Sequence, residues 1–198
     1  MELDFRAFTF VVSLAAVING LGLVRVLTGL AEGLKQRSRS TAGDGISGYW
    51  VYNSWFAFQL VLHVLLWWQL WGIQAATAIG FLQYVSFLLC PTLLFLAAAL
   101  IVPSADDDSS DLHEHYYHIR VYYFTVNACF WFWVLLQMPI LLGKLAPAAP
   151  FWVGFLLLAL VLRFTSNEKV HAALALVPWV LLMIFIPLFA INPELAAG

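Results

Sequence analysis

From Gly45 to Ala105 the chain contains no Asp, Glu, Lys or Arg. A surface facing water over such a length would carry charges, since soluble domains are roughly a quarter charged. A helix that crosses a bilayer needs about 20 predominantly apolar residues. The run therefore has room for two such helices. The rest of the chain agrees: 63% of its 198 residues are hydrophobic and only 10% are charged. These properties predict an all-α, polytopic integral membrane protein. The opening "MELDFR" is not the positive start of a signal peptide, and the apolar run behind it is longer than one. It reads as a retained first helix.

Hydrophobic runs between polar or helix-breaking residues predict six segments, at 7–30, 49–71, 75–102, 119–142, 147–164 and 170–191. The expected architecture is a six-transmembrane-helix bundle with short loops, forming a single membrane domain over 1–198. The fifth segment is the shortest, with Pro147 and Pro150 at its start. In "DLHEHYYHIR", Asp111 and Glu114 have the spacing of a helix N-cap, which starts helix four near Leu112. Tyr116 and Tyr117 then fall at headgroup depth, where aromatic residues anchor helices. Arg25, Lys35, Arg37, Arg39, Arg120, Arg163 and Lys169 share one side if all six segments cross, against Arg6 and Lys144 on the other. The positive-inside rule then puts both termini outside the cytoplasm, in a membrane of the bacterial inner type.

Polar residues at membrane depth are costly and call for a reason. Asn19 and Arg25 in segment one, Gln59 and His63 in segment two, Gln83 in segment three and Asn127 in segment four are the candidates for a polar interior. At about 1.5 Å rise per residue, they fall in layers: His63 with Gln83, Asn19 with Gln59, and Arg25 with Asn127. Asn19, Gly22, Arg25, Gly29 and Glu32 recur at steps of three or four and predict one face of the first helix. Asp106, Asp107 and Asp108, with His115, His118 and Tyr122, form an expected cytoplasmic mouth to that interior.

Three functional classes fit these features. A channel or transporter for a small ion or solute would use the polar layers, with His63 as a titratable centre. A structural or regulatory subunit of a membrane complex, or a homo-oligomer, needs only the lipid-facing helices and their aromatic anchors. A metal or redox protein would draw on His113, His115 and His118, because imidazoles suit transition metals. No established zinc spacing, nucleotide-binding loop or hydrolase motif occurs, so no cofactor is implied and the chain does not read as an enzyme. Cys90 and Cys129 lie in apolar segments without a disulfide or metal pattern. With a net charge of -2 there is no broad basic face, and nucleic acid is not an expected partner. The lipid bilayer is.

Overall fold

The computed structural model describes residues 2–39, 49–72, 81–103, 111–143 and 145–190. Every regular element among them is a helix: α1 (Glu2–Arg39), α2 (Trp50–Gly72), α3 (Phe81–Ile101), α4 (Leu112–Leu142), α5 (Ala149–Phe164), α6 (Glu168–Leu174) and α7 (Val177–Phe185). α7 runs on into a π turn, Ile186–Ala190. Four stretches are long and apolar enough to cross a membrane: Thr9–Lys35, Tyr84–Ile101, Leu112–Gln137 and Glu168–Phe189. The fold is thus all-helical, and its apolar helices are those of an integral membrane protein.

α1 reaches further in both directions than the 7–30 segment, because its polar ends are as compatible with a helix as its apolar middle. α4 begins at Leu112, as the Asp111 spacing predicts. The Asp111 carboxylate accepts from the His113 backbone N–H at 2.9 Å. Gly143, at φ 68°, ends α4 with the left-handed residue that glycine adopts freely. The last hydrophobic segment differs most from expectation. It is one run at 170–191 in sequence but is broken at Ala175–Leu176 between α6 and α7. Pro178 has no N–H and cannot continue the ladder. Its ladder acceptor would be the Leu174 carbonyl; the neighbouring Ala175 carbonyl accepts from the Ser54 hydroxyl of α2 at 3.1 Å, and the Trp179 indole donates to Ser54 Oγ at 2.8 Å.

Contacts fix the direction of each helix. Gly22 lies against Phe95 and Gly29 against Val102, so α1 and α3 run parallel. Tyr52 reaches the Ile101 carbonyl and Gln59 the Leu94 carbonyl, so α2 runs against α3. Trp133 reaches the Ser86 carbonyl while Tyr123 reaches Gln59, which sets α4 antiparallel to α3. Arg120 donates to the Thr165 carbonyl, and Trp131 stacks on Phe155 at 4.4 Å, which sets α5 antiparallel to α4. α1, α3 and α5 therefore end where α2, α4 and α6 begin. Arg25, Lys35, Arg120, Arg163 and Lys169 belong to that end.

The close seam between α1 and α3 has a physical cause. Val11, Ala15, Asn19, Gly22 and Val26 are buried, with Gly29 next in line, at steps of four, four, three, four and three. Such spacing keeps one helix face on a parallel partner. The expected face is therefore shifted: Arg25 is at its edge and Glu32 is exposed. A Cβ at Gly22 would lie 2.3 Å from His63 Nε2, and one at Gly29 would lie 2.6 Å from a Val102 methyl. Only glycine fits at those two contacts. Gly20 and Gly33 meet nothing within 4 Å.

Candidate functional site

α2 is the hub of the polar interior because its side chains reach α1, α3, α4, α5 and the α6–α7 break. Gln59 is fully buried; its Nε2 donates to the Leu94 carbonyl at 3.0 Å, and its Oε1 accepts from the Tyr123 hydroxyl at 3.2 Å. Asn19, 3% exposed, donates through Nδ2 to the His63 backbone carbonyl at 3.0 Å. Asn127, 3% exposed, donates to the Tyr123 carbonyl on its own helix at 3.0 Å.

His63 is 0% exposed. Its Nδ1 lies 2.8 Å from the Gln59 carbonyl. A carbonyl only accepts, so Nδ1 carries the proton and Nε2 presents a lone pair. Among the described residues neither Nε2 nor the nearby Asn19 Oδ1 has a hydrogen-bond partner. A buried polar atom left without one costs about 1–3 kcal/mol, and native structures hold few of them. These two lie on one seam, between α1 and α2.

The other expected site residues divide. Arg25 is half-buried, and its Nη2 donates to the Val102 and Pro103 carbonyls at 3.3 Å each, holding the end of α3. Asn127 is not at the Arg25 level. Phe124 packs on Trp55, and Phe130 and Trp131 share an apolar crevice with Leu62, so Asn127 lies at the level of Gln59. The reason is that α4 enters the bundle before Ile119, with His115 and Tyr116 already buried. Gln83 belongs to α3, but its side chain is outside the described residues, as are Asp106, Asp107 and Asp108 entirely.

The mouth residues on α4 do not share a lining. His115 is 5% exposed and packs edge-on toward Tyr52, whereas His118 is exposed and Tyr122 is 65% exposed. Steps of three and four keep His115, His118 and Tyr122 on one broad face of α4, so their different burial comes from what packs beside the helix at each level: Tyr52 covers His115. His113 points elsewhere again, to Glu168 at 3.1 Å. Among the described residues no three His, Cys, Asp or Glu side chains come together in a way that would hold a metal ion. The histidine cluster is close in sequence and divergent in space.

A second polar assembly escaped the sequence reading. Tyr116 is 1% exposed, packed inside the bundle, and its hydroxyl lies 2.7 Å from His171 Nδ1. His171 Nε2 lies 3.0 Å from the Thr165 carbonyl, so Nε2 carries the proton and Nδ1 accepts from Tyr116. Arg120 donates to the same carbonyl. This network clasps α4 to the loop between α5 and α6, with each hydrogen-bonding group partnered. The signal for it was Asn167, whose side chain caps α6 by accepting from the Lys169 N–H at 3.0 Å. Reading Asn167 as a cap puts His171 at the start of a helix, facing α4.

No protein-family model, curated protein or solved structure matches the chain. The functional reading rests on this geometry.

Proposed function

We propose that the chain is a single-domain integral membrane protein whose six helical segments all cross the bilayer, and that it moves a small ion or small solute through the polar layers of α1–α4. One observation carries the reading: the unpartnered, fully enclosed His63 Nε2 and Asn19 Oδ1 on the seam between α1 and α2. Gln59, Asn127 and Gln83 extend the path, and Arg25 stands at its inner end as a fixed positive charge. Asp106, Asp107 and Asp108, with His115, His118 and Tyr122, flank the inner mouth.

The six-segment reading adds α2 and α5 to the four apolar stretches. α2 has 23 residues, about 35 Å at about 1.5 Å per residue, and its hydropathy is reduced by Gln59, His63 and its tryptophans. α5 has 16 residues, roughly 24 Å, shorter than a bilayer core of about 30 Å. The alternating contacts and the basic residues at one end support the orientation. By the positive-inside rule, that end faces the cytoplasm of a bacterial inner membrane and both termini lie outside.

Purified protein in liposomes tests the reading. Flux of a small ion or solute above the empty-liposome rate is expected, falling at least about tenfold in His63→Ala, a loss equivalent to about 1.4 kcal/mol. Flux equal to that of empty liposomes for every species tried would contradict it.

A structural subunit is the second reading, and a specific pattern favours it. The amides of Asn19 and Gln59 donate to backbone carbonyls of neighbouring helices, which locks helices in place, while that of Asn127 bonds a carbonyl of its own helix. Such bonds average about 0.6 kcal/mol between membrane helices. A stable homo-oligomer or a co-purifying membrane partner, with no flux, is the outcome that reading predicts.

A further inference from the structure

We infer that His63 is a proton-binding site and that its occupancy opens the seam between α1 and α2, so that the species moved or sensed by the protein is the proton. The inference deepens the transport reading and rests on it only for movement, not for binding.

Space selects the ligand. Three helices close on the His63 ring. A Cβ added at Gly22 would meet Nε2 at 2.3 Å and the Phe95 Cα at 3.3 Å, so α1 and α3 backbones both lie against the ring face of α2. No solute or hydrated ion fits between Nε2 and Gly22. A metal ion would need further donors, and among the described residues no such group of His, Cys, Asp or Glu exists. A proton needs no volume. It adds to the Nε2 lone pair, no bond breaks, and the neutral imidazole becomes an imidazolium with one positive charge. Nδ1–H keeps its bond to the Gln59 carbonyl.

The new N–H then needs an acceptor, and the new charge needs a counter-charge. Asn19 Oδ1, one turn before Gly22 on α1, is an acceptor without a donor. Among the described residues no counter-charge faces the ring. α1 presents Asn19 and Gly22, and the Arg25 guanidinium, one turn on, is bound to the Val102 and Pro103 carbonyls. α2 presents Gln59, and α4 presents the Tyr123 phenol through Gln59, with Asn127 bonded to the Tyr123 carbonyl. α3 presents Leu94 and Phe95. α2 and α3 hold no carboxylate, and those of α1 and α4 are Glu2, Asp4, Glu32 and Glu114, near the helix ends. The imidazolium therefore favours a conformation in which α1 moves off α2 and Nε2–H reaches Asn19 Oδ1 and water. Gly22, which allows the close approach, is also what lets it reverse.

The test is 15N NMR of histidine-labelled protein in lipid nanodiscs, with His63 assigned by the signal lost in His63→Gln, together with proton uptake by liposomes under a potassium diffusion potential. At high pH, His63 is expected as the Nδ1–H tautomer. On acidification Nε2 takes up a proton reversibly. Asn19→Leu, which keeps the histidine, weakens that uptake by about tenfold, one pH unit. It also serves as the variant of record if His63→Gln does not fold. Protonation at Nε2 with proton flux that His63→Gln or Asn19→Leu lowers supports both binding and transport. Protonation without flux supports the proton site and removes the transport reading. An Nε2 that stays unprotonated down to the acid limit of the folded protein overturns the inference, and flux of another solute in that case leaves transport standing.

Discussion

Gly20 and Gly22 stand two residues apart on α1 and meet opposite surroundings. A methyl at Gly22 collides with the His63 ring and the α3 backbone, whereas one at Gly20 meets nothing within 4 Å. Gly22→Ala is therefore expected to destabilise the protein by about 1–3 kcal/mol, the cost of overpacking a filled site. Gly20→Ala is expected to be neutral or to stabilise by up to about 1 kcal/mol, since alanine loses less backbone freedom in a helix. Thermal unfolding in detergent compares the two; equal shifts would contradict the packing described at His63. Tyr116→Phe removes the hydroxyl that His171 Nδ1 accepts from and is expected to cost about 1 kcal/mol in the same assay. At this scale the sequence pointed to four polar residues that are buried, Asn19, Gln59, His63 and Asn127, but not to Gln137 or His171, which are buried as well. It did not reveal the partners of those four, because most are backbone carbonyls, on another helix for Asn19 and Gln59 and on the same helix for His63 and Asn127, and a carbonyl is present at every position. Tyr116 shows the converse. Its amphipathic ring suits headgroup depth, and packing against Tyr49, Phe124 and His171 buries it in the bundle.

α4 and the α6–α7 pair mark the limits of pattern at the level of the element. Asp111 is a side-chain cap, so its signal is local, and it placed the start of α4 within the sequence itself. Asp111→Ala is expected to cost about 1 kcal/mol and to fray the first turn, measurable as faster amide exchange at His113–His115. The break at Ala175–Leu176 was hidden because hydropathy is blind to a missing N–H. Pro178 sits in an unbroken apolar run, and membrane helices often absorb a proline as a kink. Here the helix breaks, and Ser54 bonds the Ala175 carbonyl and the Trp179 indole at the break. Ser54→Ala leaves a buried carbonyl and an indole N–H without this partner and is expected to lower stability by about 1–3 kcal/mol. Ser54→Thr, which keeps the hydroxyl, should lose less. An unchanged melting temperature in Ser54→Ala would show that the hydroxyl does not hold the break. The His113, His115 and His118 group failed for a related reason. Spacing fixes which face a residue occupies, but the helix's neighbours decide which face is inside.

The direction of all the helices follows from contacts that the sequence did not contain, yet the result has the alternation that the distribution of Lys and Arg suggested. Both depend on α5, an apolar helix of 16 residues, running back from the Leu145 end to the Thr165 end. The account as a whole claims a bundle in which every segment crosses the bilayer and the basic end faces inward. Single cysteines placed in a chain with Cys90 and Cys129 replaced by Ala, and probed in intact cells and in inverted vesicles with a membrane-impermeant thiol reagent, test this most directly. Ser38 and Ser166 are exposed at one end, and Gly143 and Leu145 at the other. Ser38→Cys and Ser166→Cys are expected to react only in inverted vesicles, and Gly143→Cys and Leu145→Cys only in intact cells. Labelling of Leu145→Cys and Ser166→Cys from the same side would show that α5 does not cross, and would contradict the six-helix account.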